Sequence, residues 1–145
     1  MTYSIGEISK MFKIPISTLR YYDREGLFPT IERVSGIRKF SENEIEALRV
    51  IECLKKSGLE IKDIKQFMEW TKLGAETFET RKELFERQKE TIENEIQQMQ
   101  KMLDMIKFKC WYYDEAIKQG DENAVQAQIP DDLPQEVKIS YDNSH

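Results

Sequence analysis

The chain has 145 residues, with 22 Lys+Arg against 27 Asp+Glu and a formal net charge of −5, and its mean hydropathy is −0.65. That length suits one domain of ordinary size or a small domain with an appended helix, and no apolar run approaches the roughly 18 residues that a membrane span needs. Cys53 and Cys110 form no CxxC knuckle, the one histidine is His145, and the opening MTYSIGEISK lacks the apolar core of a secretory leader, so a cytoplasmic protein with no disulfide framework, metal or other cofactor is expected.

Residues 1–40 hold seven basic and four acidic side chains, or +3, and the remaining 105 hold 15 and 23, or −8. A basic module on an acidic chain fits one anionic partner at one end. In that module Ser4-Ile5-Gly6-Glu7 has the S-x-x-E form of a capping box, and Ile5, Ile8, Met11 and Phe12 follow at helical spacing. After a turn at Lys13-Ile14, Pro15 suits the first turn of a second helix, where its missing N–H costs nothing. That helix is predicted to run through Tyr22 and stop near Gly26. Two short helices on a tight turn make a helix-turn-helix.

Pro29 breaks the helical pattern. Thr30 to Val34 alternates with period 2, Ser35-Gly36 supplies a turn, and Ile37 to Phe40 is the return strand of a small hairpin, a wing. Two strands are marginal alone, so the wing must pack on the helices. A second capping box, Ser41 to Glu44, opens a helix carrying Ile45, Leu48, Ile51 and Leu54 and closed by Ser57-Gly58. The next helix carries Ile61, Ile64, Phe67 and Met68 and ends at Leu73-Gly74.

A third capping box, Thr80 to Glu83, precedes a stretch with no Gly or Pro until Gly120, which predicts a helix about 60 Å long. Phe85, Ile92, Met99, Ile106 and Tyr113 repeat by seven, and Ile96, Leu103 and Cys110 form a second row, with Lys89 its polar exception. This is the pattern of a coiled coil. So long a stripe needs a partner helix, most simply that of a second copy. Beyond Gly120 the Asp, Glu and Pro content predicts an acidic, mostly irregular and partly mobile tail. The expected class is therefore mainly α. Residues 1–74 are expected to form a winged helix-turn-helix domain of the kind that binds DNA, 75–120 a coiled-coil dimerisation helix and 121–145 the tail.

The chemistry concentrates in Ser17-Thr18-Leu19-Arg20-Tyr21-Tyr22-Asp23-Arg24 and the hairpin. Ser17 and Thr18 at a helix start suit phosphate, Arg20 can reach a base edge or a phosphate, and the phenol of Tyr21 can bond a phosphate. Tyr22 is expected in the core. Arg24 shares a helical face with Arg20, and Arg33, Arg38 and Lys39 extend the basic surface along the wing. The plainer alternative is a solvated charged face.

Thr18-Leu19-Arg20-Tyr21-Tyr22-Asp23, then Gly26-Leu27-Phe28-Pro29, then Gly36-Ile37-Arg38-Lys39-Phe40, resembles the mercury-resistance-regulator (MerR) family of bacterial transcription factors, closely over residues 3–72. Its departures are Asp23 for the usual glutamate, Phe28 for leucine, and Ile37 and Phe40 where tyrosines are common. The last two are expected to weaken wing contacts by losing phenol oxygens. The resemblance implies a homodimer joined by an antiparallel coiled coil through Phe85, Ile92, Ile96, Met99, Leu103 and Ile106. It also implies a near-palindromic operator in double-stranded promoter DNA, within a spacer that is bent and untwisted for RNA polymerase.

Within that family, a lone Cys110 makes a poor metal site, and the roughly 25 residues after Gly120 are too few for a separate drug-binding core. The stretch around Cys53 resembles that of aldehyde- and electrophile-responsive members. Lys55 and Lys56 nearby can favour a thiolate; the alternative is a small apolar residue at a helix interface. Cys110, Trp111, Tyr112 and Tyr113 make either a small-molecule pocket or an apolar clasp ending the coil, and a regulator with no effector is the further alternative. No phosphate loop, carboxylate pair or internal histidine points to an enzyme. The alternative outside the regulators is a coiled-coil protein whose N-terminal domain binds another protein, with no DNA.

Overall fold

In the computed structural model, which describes residues 1–145, the first capping box forms as expected. Ser4 Oγ accepts the Glu7 amide, the Glu7 carboxylate accepts the Ser4 amide, and α1 (Ile5–Phe12) begins there. Those two bonds, the backbone amide first, hold the Glu7 carboxyl below the usual carboxylate range. Lys13 in the left-handed region turns the chain, and Pro15 stands at the N-cap of α2 (Ile16–Arg24), one residue before the first turn. The wing is an antiparallel pair, β1 (Glu32–Val34) and β2 (Ile37–Lys39), in the register Glu32↔Lys39, Arg33↔Arg38, Val34↔Ile37. Ser35 and Gly36 have φ of 53° and 78°. Two successive positive φ values match the right-handed twist of such a hairpin, and glycine adopts them without strain.

Two observations explain why so short a wing is held. Tyr3 exchanges both backbone hydrogen bonds with Phe40, each at 2.8 Å. Phe40 is fully buried and meets Phe28 edge-on, ring centroids 5.5 Å apart. Phe40 is therefore core, and the expectation that its lost phenol oxygen would weaken the wing's surface is corrected for that position.

The second capping box starts α3 (Glu42–Lys56), and Glu44 is buried because its carboxylate also accepts Thr30 Oγ1 at 2.9 Å. A helix end is tied to the loop before the wing by that one side chain. α4 (Ile61–Leu73) follows, and the core of the unit Met1–Gln88 gathers Ile8, Leu19, Tyr22, Leu27, Leu48, Ile51 and Ile64, all almost fully buried.

The third capping box does not act as one. α5 (Phe78–Gln119, 42 residues) is already helical before Thr80, because a 3-10 turn at Gly74–Thr77 leads into it. Thr77 takes the junction role instead. Its hydroxyl lies 2.7 Å from the Trp70 carbonyl and 2.8 Å from that of Gly74. Arg81 donates to Thr77 Oγ1 and to the Gly74 carbonyl.

A second unit spans Lys89–His145. The irregular tail expected over 121–145 is corrected there: α6 (Asn123–Gln128) and α7 (Gln135–Ser144) occupy much of it. Apolar residues spaced through the acidic stretch are the reason. Val125 is fully buried with Phe108 and Tyr112, and Ile129, Leu133, Val137 and Tyr141 pack around them. The burial these residues provide offsets the entropy of ordering the segment. α7 runs back along the end of α5, Tyr141 meeting Phe108 at 5.0 Å and Asn143 bonding the buried Asp104.

Candidate nucleic-acid interface

α2 divides into two faces. Leu19 and Tyr22 are buried, whereas Ser17, Arg20, Tyr21 and Arg24 are exposed, with Thr18 at the margin. Positions 17, 20, 21 and 24 follow the i, i+3, i+4, i+7 rule, so they share one side of the helix. Arg20 and Arg24 make no ion pair within the fold, which leaves both guanidinium forks open to an outside acceptor.

The wing reaches the same surface through Asp23. Arg33 Nη2 lies 2.6 Å and Arg38 Nε 2.7 Å from one oxygen of that carboxylate, Oδ2. The two arginines are cross-strand partners, and like charges directly opposite repel; Asp23 between them offsets that repulsion. Its side chain is 8% exposed, with Arg38 at 19% and Arg33 at 50%. Arg38 is thus a strut and Arg33 the outward member. Lys39 is half-buried, and Val34 and Ile37 stand exposed at the tip.

Beneath α2, Tyr22 donates to Glu52 Oε1 and accepts from Lys55 Nζ at 2.9 Å. Burial pushes the Tyr22 phenol up from its ordinary value, and the bond to Tyr22 pushes the Lys55 ammonium up. Lys55 is therefore turned toward Tyr22, on the α2 side. Cys53 is exposed on α3 rather than set into a helix interface.

On α5 the expected coil positions Ile92, Ile96, Met99, Leu103 and Ile106 are all at least 37% exposed. Phe85, 40% exposed, also meets Phe67 edge-on at 5.5 Å. The aromatic end of α5 splits between two faces. Tyr112 is buried and Trp111 half-buried against α6 and α7, while Cys110 and Tyr113 face outward. Tyr112 Oη also bonds Glu122 and Gln126. No group of three or more His, Cys, Asp or Glu side chains converges, and no helix is long and apolar enough to cross a membrane.

The residues that sequence reasoning missed are the ties. Asp23 carried a signal, an acid inside a basic motif. Glu52 carried none, and neither did the pairing of Asp104 with Asn143, 39 positions apart.

Residues 3–70 match the family described as MerR HTH family regulatory protein, and residues 45–107 match MerR, DNA binding. An uncharacterized HTH-type transcriptional regulator of Haemophilus influenzae is 37% identical over 133 residues, covering 90% of this chain and 98% of that one. Among solved structures, HiNmlR, a MerR family regulator lacking the sensor domain and bound to promoter DNA, is 36% identical with a TM-score of 0.66, covering 93% of this chain and 98% of its own. A MerR family transcriptional regulator from Bacillus thuringiensis is 40% identical with a TM-score of 0.58, covering 76% and 97%.

Proposed function

The chain belongs to the MerR HTH family of regulatory proteins and is a DNA-binding transcriptional regulator, and from that premise we propose that it acts as a homodimer on a near-palindromic operator in a promoter spacer, distorting that DNA for RNA polymerase in the cytoplasm. The observation that carries this reading is the continuity of the exposed face of α2 with the wing through Asp23. Ser17, Thr18, Arg20, Tyr21 and Arg24 enter or flank the major groove, and Arg33 and Lys39 follow the backbone, with Arg38 braced on Asp23 behind Arg33.

The bare stripe on α5 supports the dimer, since exposed apolar side chains at heptad spacing are satisfied by a second helix. Two modules joined by a stiff helix pair can twist a spacer, and smooth bending of a site of roughly 20–30 bp costs on the order of 1–6 kcal/mol, met by backbone contacts. The test is a footprint on the protein's own promoter together with a bending assay by circular permutation. A symmetrical footprint and a displaced bend centre are expected. Protection of a single half-site without bending would overturn the proposal.

Cys53 is the signal input in this reading. Its exposed thiol is open to an electrophile, and a bulky adduct there sits beside Glu52, which holds Tyr22 of α2. Modification biases one of two DNA-bound conformations. Trp111 and Tyr112, packed on their own chain's helices, serve as the clasp rather than as a ligand pocket. Transcription from the promoter is measured with carbonyl electrophiles and thiol oxidants in wild type and Cys53→Ala. A response that survives the substitution removes Cys53 from the mechanism.

A further inference from the structure

Asp23 is an acid on a surface built to meet phosphate. It is almost buried, it cannot itself approach DNA without repulsion, and both wing arginines converge on its Oδ2 at 2.6 and 2.7 Å. The three side chains together carry a charge of +1 where the two arginines alone would carry +2. Arg38 is the more deeply held, and Arg33 is half exposed, so the two are not equivalent. Arg33 can exchange the carboxylate for a phosphate, and Arg38 remains to neutralise Asp23 when it does.

We propose that Asp23 is a positioning residue that stands in for a backbone phosphate in the free protein, setting the wing arginines in register and suppressing binding to non-operator DNA. A geometry already matched to a phosphate is recovered on the operator, where α2 and the wing seat together. On other sequences the carboxylate competes with the phosphates for Arg33. The proposal rests on the reading of Arg33 as a phosphate contact.

The experiment measures binding of the full chain across a salt series, on poly(dI-dC) and on a duplex enriched from a random pool by the wild type. Each neutralised phosphate contributes about 0.9 to the slope of log K against log salt. Asp23→Asn is expected to steepen the poly(dI-dC) slope by about 0.9, tighten that binding roughly ten-fold and lower the preference for the enriched duplex. Asp23→Glu, which keeps the charge, returns the slope to the wild-type value. Should Asp23→Asn fail to fold, Arg38→Gln is the second variant; leaving Asp23 to Arg33 alone, it makes the slope on the enriched duplex shallower by about 0.9.

Equal loss of affinity on both DNAs with an unchanged slope in Asp23→Asn, or an unchanged slope in Arg38→Gln, would overturn the proposal and leave Asp23 a fold-holding residue. The underlying reading fails separately: if Arg33→Ala leaves the slope on the enriched duplex unmoved, Arg33 meets no phosphate and the proposal falls with it.

Discussion

Tyr22 of α2 donates its hydroxyl to Glu52 of α3 at 3.0 Å while its ring is almost fully buried in the core. The same oxygen accepts from Lys55, so the helix that presents Arg20 and Tyr21 outward is pinned from within. Tyr22→Phe keeps the ring and removes both bonds, and should cost about 1 kcal/mol. The shifts at Tyr22 and Lys55 are both upward. The unfolded chain therefore loses protons that the folded chain keeps once pH passes the ordinary tyrosine value near 10. Stability is full below that value and falls above it. Thermal midpoints taken from about pH 8 to about pH 11 should decline less steeply in Tyr22→Phe than in wild type.

Arg20 and Arg24 lie on one exposed face of α2 without ion pairs, but they are expected to respond differently. Arg20→Ala should cost roughly 1–3 kcal/mol on the operator and relax its sequence preference if the fork meets a base edge. Arg24→Ala should weaken all sequences alike and lower the salt slope by about 1. Tyr21→Phe removes one hydroxyl and should cost about 1 kcal/mol. Fluorescence anisotropy with labelled duplexes at several salt concentrations separates the three outcomes.

Ile96 and Leu103 are 62% and 45% exposed on α5. Placing a carboxylate at either position does not disturb an isolated helix but opposes burial against a second one. Ile96→Asp and Leu103→Asp should each convert a dimer to monomer in sedimentation equilibrium with an unchanged helical circular dichroism signal. A dimer that persists in both would place the interface elsewhere.

Phe108 is the centre of the second unit, touching Trp111, Tyr112, Tyr141 and His145. Phe108→Ala should cost roughly 3 kcal/mol of local stability and release α7, exposing the segment 129–134 to limited proteolysis. Acid should act in the same direction. The bonds from Asn143, then Gln100, hold the Asp104 carboxyl below its usual range. That contribution is present above the ordinary carboxylate value and is lost as pH falls through the folded one. Protection factors of the α7 amides, referenced to the intrinsic exchange rate at each pH, should fall at acid pH, and less so in Asp104→Asn.

Local signals were legible in proportion to how local their physics is. Ser4-Glu7 and Ser41-Glu44 are each satisfied within one turn, and both form. Thr80-Glu83 has the same letters and does nothing, because a neighbouring 3-10 turn had already started the helix. The tail was misread because eight acids over 114–145 dominate its composition, whereas Val125, Val137 and Tyr141 decide its fold by meeting Phe108 and Tyr112. Of the proposed interface, the outward set on α2 could be read from helical period alone, since burial of Leu19 and Tyr22 leaves its complement exposed.

The amino-acid order by itself determined the helices up to Gly120, the two-residue turn of the wing, the heptad stripe and the family, because periodicity, turn chemistry and motif spacing act over a few residues. Only the tertiary structure decided that Asp23 gathers Arg33 and Arg38, that Tyr22 ties to Glu52, and that the acidic tail folds onto α5. Those contacts join residues 10 to 39 positions apart, and no local pattern encodes which charged or aromatic group will meet which.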